Sequence, residues 1–92
     1  MDFQWDAAKA RTNFAKHGVR FDDARAVFDD PCAMTIADHE SDPLEERFAG
    51  IGMGALGNVL VVVYTYRGDD VRIISTRLAA AHERAEYEAG LP

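Results

Sequence analysis

The sequence has one cysteine, three prolines and one tryptophan among its 92 residues, and each scarcity closes off a class of protein. A lone Cys32 cannot close an internal disulfide, and no Cys/His spacing suits a zinc site. A reduced cytoplasm is therefore the expected compartment. There is no Pro/Gly/Ser tract to act as a linker, and no repeat or low-complexity segment. Long hydrophobic runs are also missing: the longest, Val59 to Tyr64, is far too short to span a bilayer. Met1 to Gln4 lack the basic region and apolar segment of a secretory signal, so neither membrane nor export is expected.

Positive charge is the other shortage. Ten Lys+Arg stand against 16 Asp+Glu, for a net charge of −6. The deficit is local. Residues 1–28 carry five basic and four acidic groups, residues 47–92 carry five of each, and residues 29–46 carry seven acidic groups and no basic one. A nucleic-acid binder usually shows a basic footprint, because counterion release drives phosphate binding; here such a footprint is expected only locally. The acidic segment (Asp29, Asp30, Asp38, Glu40, Asp42, Glu45, Glu46) reads either as a solvated loop or as a receiver for a basic stretch of a partner protein.

What is present is globular. Hydrophobic residues make up 48% and charged residues 28% of the chain, enough for one domain over 1–92 with one modest core. Phe3-Gln4-Trp5 reads as a short strand or anchor. Asp6 is placed to cap a helix from Ala7 to His17 that Gly18 ends, with Trp5 and Ala10 in staple positions. A second, shorter helix is expected from Asp22 or Asp23, burying Phe21, Ala24, Val27 and Phe28 and stopping at Asp29-Asp30-Pro31. Strands are expected over Ala33 to Ala37, Arg47 to Met53, Val59 to Tyr66 and Val71 to Ser75, with an acidic loop over 38–44 and a hairpin at Gly68-Asp69. A last helix should cover Ala79 to Ala89. The sum is an α+β fold: two N-terminal helices, an antiparallel meander and a C-terminal helix.

Phe3-x-Trp5-Asp6-x-x-Lys9-Ala10-x-x-Asn13-x-x-Lys16-His17-Gly18-Val19-x-Phe21 resembles the opening signature of the BrnT toxin family. The likeness continues through Phe28-Asp29-Asp30-Pro31, Glu46-Arg47-Phe48, Ile51-Gly52 and Leu60 to Thr65. It resumes in Arg72-Ile73-Ile74-Ser75-x-Arg77 and Glu83-Arg84-x-x-Tyr87. The resemblance implies a RelE-like fold and cleavage of RNA, with inhibition of translation, without a metal or other cofactor. It also implies neutralisation by a BrnA-like ribbon-helix-helix antitoxin, with operator DNA contacted only through that partner. One departure stands out. Where relatives are rich in Lys and Arg after Arg77, this chain reads Leu78-Ala79-Ala80-Ala81-His82. The alternative to a nuclease is thus a weak or inactive relative that serves as the protein-binding half of an autorepressing complex.

Metal-free RNA cleavage needs a base for the 2′-hydroxyl, an acid for the leaving 5′-oxygen, and cations for the charge growing on the phosphoryl oxygens. Arg72 and Arg77 are the preferred cations, since guanidinium geometry suits phosphate. Five positions apart on a straight strand they face opposite ways. They share a site only if the chain bends or enters its helix first, with Ser75 or Thr76 as the cap. The competing reading pairs them with Asp69, Asp70 or Glu46. Arg47 is a third phosphate ligand or a surface ion pair, and His17, next to the helix-ending Gly18, is a candidate acid or base. Lys9, Asn13 and Lys16 form one polar stripe, either solvated or in contact with phosphate or antitoxin. Tyr64, which shares a strand face with Tyr66, and Tyr87 are candidates for base stacking or for burial in the core. Cys32 reads as an incidental thiol.

Overall fold

The computed structural model describes residues 1–37 and 46–92. The acidic loop expected over 38–44, and most of the segment given a partner-binding reading, lie outside them. The order of elements is β1 (Phe3–Gln4), α1 (Ala7–His17), α2 (Phe21–Ala24), a 3-10 turn (Arg25–Asp29), β2 (Met34–Ala37), β3 (Phe48–Met53), β4 (Val59–Arg67), β5 (Asp70–Leu78) and α3 (Ala81–Ala89). No helix among the described residues is long and apolar enough to cross a membrane.

The first helix is bounded as its sequence dictates. Asp6 accepts the Lys9 N–H at 3.0 Å, and Gly18 takes the left-handed φ of 71° that closes the helix, its N–H donating to Phe14 O. The second helix is shorter than its apolar stripe suggests. It turns α-helically only over Phe21–Ala24 and tightens into a 3-10 turn before Asp30. Burial of Phe21, Ala24 and Val27 needs only that much turn.

The sheet runs β1-β5-β4-β3-β2. Strands β2 to β5 form the expected antiparallel meander, but β1 pairs in parallel with β5, through Phe3↔Val71 and Gln4↔Arg72. The sheet is therefore mixed, a correction to the all-antiparallel expectation: the helices carry the chain from β1 to β2 at the far edge, and the antiparallel meander back across the sheet brings β5 alongside β1 in the same direction. Strand β5 is also longer than expected. It continues through Ser75 and Thr76 to Leu78, so neither residue caps the last helix. Ala80 holds that position, and its N–H donates to Glu83 Oε1 at 2.8 Å.

Each sheet face has its own core. On one, α1, α2 and the 3-10 turn close over Leu60, Val62, Tyr64, Val71 and Ile73, with edge-on aromatic contacts from Phe28 to Phe3 and to Tyr64. On the other, α3 lays Tyr87 over Ile51, Val59 and Val61. The Tyr87 hydroxyl donates to Asp30 Oδ2 at 2.5 Å, and Asp30 also accepts the N–H groups of Cys32 and Met53. One carboxylate thus ties the 3-10 turn, β3 and α3 together.

Asn13 is not part of a solvated stripe. It is 6% exposed, and its amide pairs with the backbone of β5. Nδ2 donates to Thr76 O at 2.9 Å while Thr76 N–H donates to Oδ1 at 3.1 Å. Nδ2 also reaches Val19 O at 3.2 Å. The side chain stands where a neighbouring strand would supply hydrogen bonds.

Candidate functional site

The register of β4 against β5 decides where the arginines go. Thr65 opposes Arg72 and Tyr64 opposes Ile73, but Val63 opposes Ser75, so Ile74 is an extra residue on β5. This bulge reverses the alternation. Val71, Ile73 and Thr76 are buried and oppose Tyr66, Tyr64 and Val62, whereas Arg72, Ser75 and Arg77 oppose Thr65, Val63 and Val61. Arg72 and Arg77 therefore share a sheet face, through a bend in the strand rather than an early helix. From the four strand positions between Thr65 and Val61, their backbones lie about 13 Å apart. Arg47, one position before β3, continues the side of Ala49 and Ile51, next to Thr65, whose hydroxyl donates to Glu46 O.

Arg77 is held by a residue that strand and charge patterns did not single out. Its Nη1 and Nη2 donate to the two carboxylate oxygens of Glu83 at 2.7 and 2.9 Å. The paired guanidinium holds the Glu83 carboxyl down to about 2, and the same pairing raises Arg77. The signal available in the sequence was Glu83's place three residues into the last helix, where a carboxylate reaches back over the helix start. The partner expected for Arg72 also differs: Nη1 donates to Gln4 Oε1 at 3.3 Å, and Asp70 instead accepts Asp2 N–H and Gln4 Nε2. A hollow of about 230 Å³ opens between Arg77, Glu83, Ser75 and the apolar strand residues Ala49 and Val63.

Ser75 also borders a second hollow, of about 330 Å³, between α1 and the edge of β5. Lys9, Thr12, Lys16 and His17 line it, so three of the nitrogen-bearing candidates are brought together. Asp6 sits at the near end of α1, its carboxyl held below the ordinary value chiefly by the Lys9 N–H, with weaker help from the Lys9 and Arg72 charges. A strip of cationic side chains thus runs from α1 over Ser75 to Arg77.

The tyrosines do not belong to it. Tyr64 is 5% exposed, stacked on Phe48 at 5.7 Å and packed edge-on against Phe28, and burial pushes its phenol up. Tyr87 is 3% exposed, and its hydrogen bond to Asp30, ahead of burial, raises it to about 12. Neither ring offers a face on which a base could stack, because both faces are already packed. Of the three tyrosines only Tyr66, beside Tyr64 and Phe48, is exposed.

The profile of a known family, described as "Ribonuclease toxin, BrnT, of type II toxin-antitoxin system", matches residues 5–83. The chain belongs to the BrnT family. Its structure is similar to the 1.1 Å crystal structure of the Brucella abortus ribonuclease toxin BrnT, with a TM-score of 0.67 and 26% identity over 87% of this chain and 97% of that one. No curated protein matches the chain in sequence. The matched span of the BrnT profile takes in α1, strands β2 to β5 and Glu83, so every residue of the cationic strip lies inside it. Membership in a type II toxin–antitoxin family implies an antitoxin partner for this BrnT chain.

Proposed function

We propose that this chain is an RNA endonuclease of RelE-like construction that acts in the cytoplasm, without a metal, and inhibits translation until a ribbon-helix-helix antitoxin of the BrnA kind neutralises it. The observation that carries the reading is the Ile74 bulge, which puts Arg72, Ser75 and Arg77 on one face, next to the hollow lined by Lys9, Lys16 and His17. RNA would lie across β5 at Ser75. The backbones of Arg72 and Arg77 lie about 13 Å apart along the strand and their side chains have different partners, an arrangement that suits separate phosphates better than a single one. Lys9 and Lys16 would hold the backbone on the α1 side, and Arg47 would meet it beyond Thr65.

The reaction is an internal transfer. The 2′-oxygen attacks the adjacent phosphorus as its proton leaves, the bond to the 5′-oxygen breaks, and that oxygen takes a proton, giving a 2′,3′-cyclic phosphate and a 5′-hydroxyl. His17 lines the cationic hollow, which supports it as the imidazole that moves a proton. The arginines stabilise the charge on the non-bridging oxygens.

A second reading, a weakly active or inactive relative that serves as the protein half of an autorepressing complex, is favoured by one observation. Both terminal nitrogens of Arg77 are already engaged by Glu83, and the residues that follow, Ala79 to Ala81, bring no replacement cation. The test is to free the chain from its co-expressed partner and incubate it with RNA, with and without a chelator. The nuclease reading expects cleavage insensitive to chelation, lowered about 100-fold by Arg77→Ala or Arg72→Ala. Intact RNA after incubation with well-folded protein refutes it in favour of the second reading.

A further inference from the structure

We propose that the apolar groove on the outer face of α1 is the seat of the antitoxin, which enters it as an amphipathic helix with carboxylates directed at Arg11 and Arg20. The proposal rests on the family-level expectation of an antitoxin, and on nothing about RNA cleavage.

Helix α1 has two faces with different chemistry. Lys9, Asn13 and Lys16 turn toward β5 and the cationic hollow. Ala10, Arg11, Phe14 and Ala15 turn the other way and wall a groove of about 430 Å³, whose floor is Trp5 and Phe21 packed edge-on at 5.9 Å. Phe14 is 46% exposed there, an aromatic ring left in water in the middle of a helix. The Arg20 guanidinium lies over it, 5.0 Å from the ring centre. Helix-in-groove recognition uses this kind of surface: an apolar trough that takes anchors spaced i, i+3/i+4 and i+7.

The rim charges select the partner. Asp22 also borders the groove, but its carboxylate pairs with Arg25 at 3.5 Å. Arg11 and Arg20 have no carboxylate partner among the described residues. In a chain of net charge −6, two unmatched arginines astride an apolar trough make a local site for an acidic, apolar-faced helix, and complementary rim charges speed and orient such an encounter. RNA suits the trough less well. Its floor is the Trp5 and Phe21 rings, with no side-chain acceptor, amide or hydroxyl to read a base edge, and the exposed Phe14 ring is already covered by Arg20. A partner seated here lies on the far side of α1 from Lys9, Lys16 and His17, so capture and cleavage should separate by mutation.

The test uses the small protein encoded beside this chain's gene as the antitoxin. Its affinity is measured by calorimetry for the wild type, for Phe14→Ser and for the double variant Arg11→Glu/Arg20→Glu, with far-ultraviolet circular dichroism as the check on folding. Losses of about tenfold and about 100-fold are expected, with RNA cleavage by the released toxin unchanged. Hydrogen exchange of the wild-type complex gives a readout that needs no variant: new protection over residues 10–22 is expected. Affinities within threefold of wild type, or protection confined to other segments, overturn the proposal. So does toxin self-association that Phe14→Ser abolishes, or RNA binding that the double variant abolishes while antitoxin affinity is kept. A wild type that cleaves no RNA yet loses its antitoxin in the double variant refutes the nuclease reading alone.

Discussion

Replacing Asn13 by alanine removes three hydrogen bonds at a stroke, and the structure sets the cost. The amide donates to Val19 O and Thr76 O and accepts from Thr76 N–H, at a position only 6% exposed. Alanine leaves one backbone donor and two carbonyls facing a space that water enters poorly. A buried polar group without a partner costs about 1–3 kcal/mol; carbonyls, with a second lone pair, fall toward the low end. We expect a loss of about 2–4 kcal/mol, a large share of the ~5–14 kcal/mol typical of a chain this long, and a fall in Tm of about 10–25 °C. The single tryptophan, Trp5, packs on Phe21 close to α1, so urea unfolding followed by its fluorescence reads the change directly. Asn13→Asp should be no better than alanine at neutral pH, because its carboxylate would face the Val19 and Thr76 carbonyls without a proton to give. An Asn13→Ala protein within 0.5 kcal/mol of wild type, with an unchanged denaturant slope, would refute the reasoning: the amide would then not be standing in for a strand.

Three further changes test other contacts. Tyr87→Phe deletes the donor to Asp30 while leaving Asp30 its two backbone partners, and should lower stability by about 1–2 kcal/mol in thermal unfolding. Gly54→Ala would place a Cβ 2.4 Å from Leu60 Cδ1 and 2.9 Å from Cγ, an overpacking worth about 1–3 kcal/mol by the same measurement. The pH profile should be asymmetric. Glu83, lowered to about 2, and Asp30, also lowered, contribute stability that is complete above the ordinary carboxylate range and is lost as pH falls toward 2. Tyr87, raised to about 12, contributes below about 10 and loses its part as pH climbs toward 12. Urea midpoints from pH 2 to 6 should show the acid limb, and Glu83→Gln should flatten it.

Local rules carried the reading of the sequence wherever neighbours along the chain decide the structure. Asp6 and Gly18 bound α1 at the expected residues, and the strand spans from Met34 to Arg67 follow alternation and turn residues. The misses arise where partners distant in sequence decide. Nothing in Ile73-Ile74-Ser75 marks a bulge, since it is set by how β5 meets β4, yet it determines which arginines share a face. Asn13 looked solvated because its spacing matched Lys9 and Lys16, while its partner is Thr76, 63 positions away. Tyr64 and Tyr87 were legible as aromatic, but their burial depends on Phe48, Phe28 and Asp30. Of the candidate site, the lysines, His17 and the paired arginines were read from sequence. Glu83's grip on Arg77 required the fold.

The parallel seam between β1 and β5 has a consequence for a protein while it is being made. Phe3 meets Val71, Gln4 meets Arg72, and Asn13 clasps Thr76, so the hydrogen bonds that tie β1 and α1 to the sheet wait for β5. Contacts this far apart in sequence are slow to form, and on the ribosome they cannot form until β5 has emerged from the exit tunnel. The cationic strip draws Lys9, Lys16 and His17 from one end of the chain and Arg72 and Arg77 from the other. It therefore does not exist on a nascent chain until β5 is free to pair with β1 and α1.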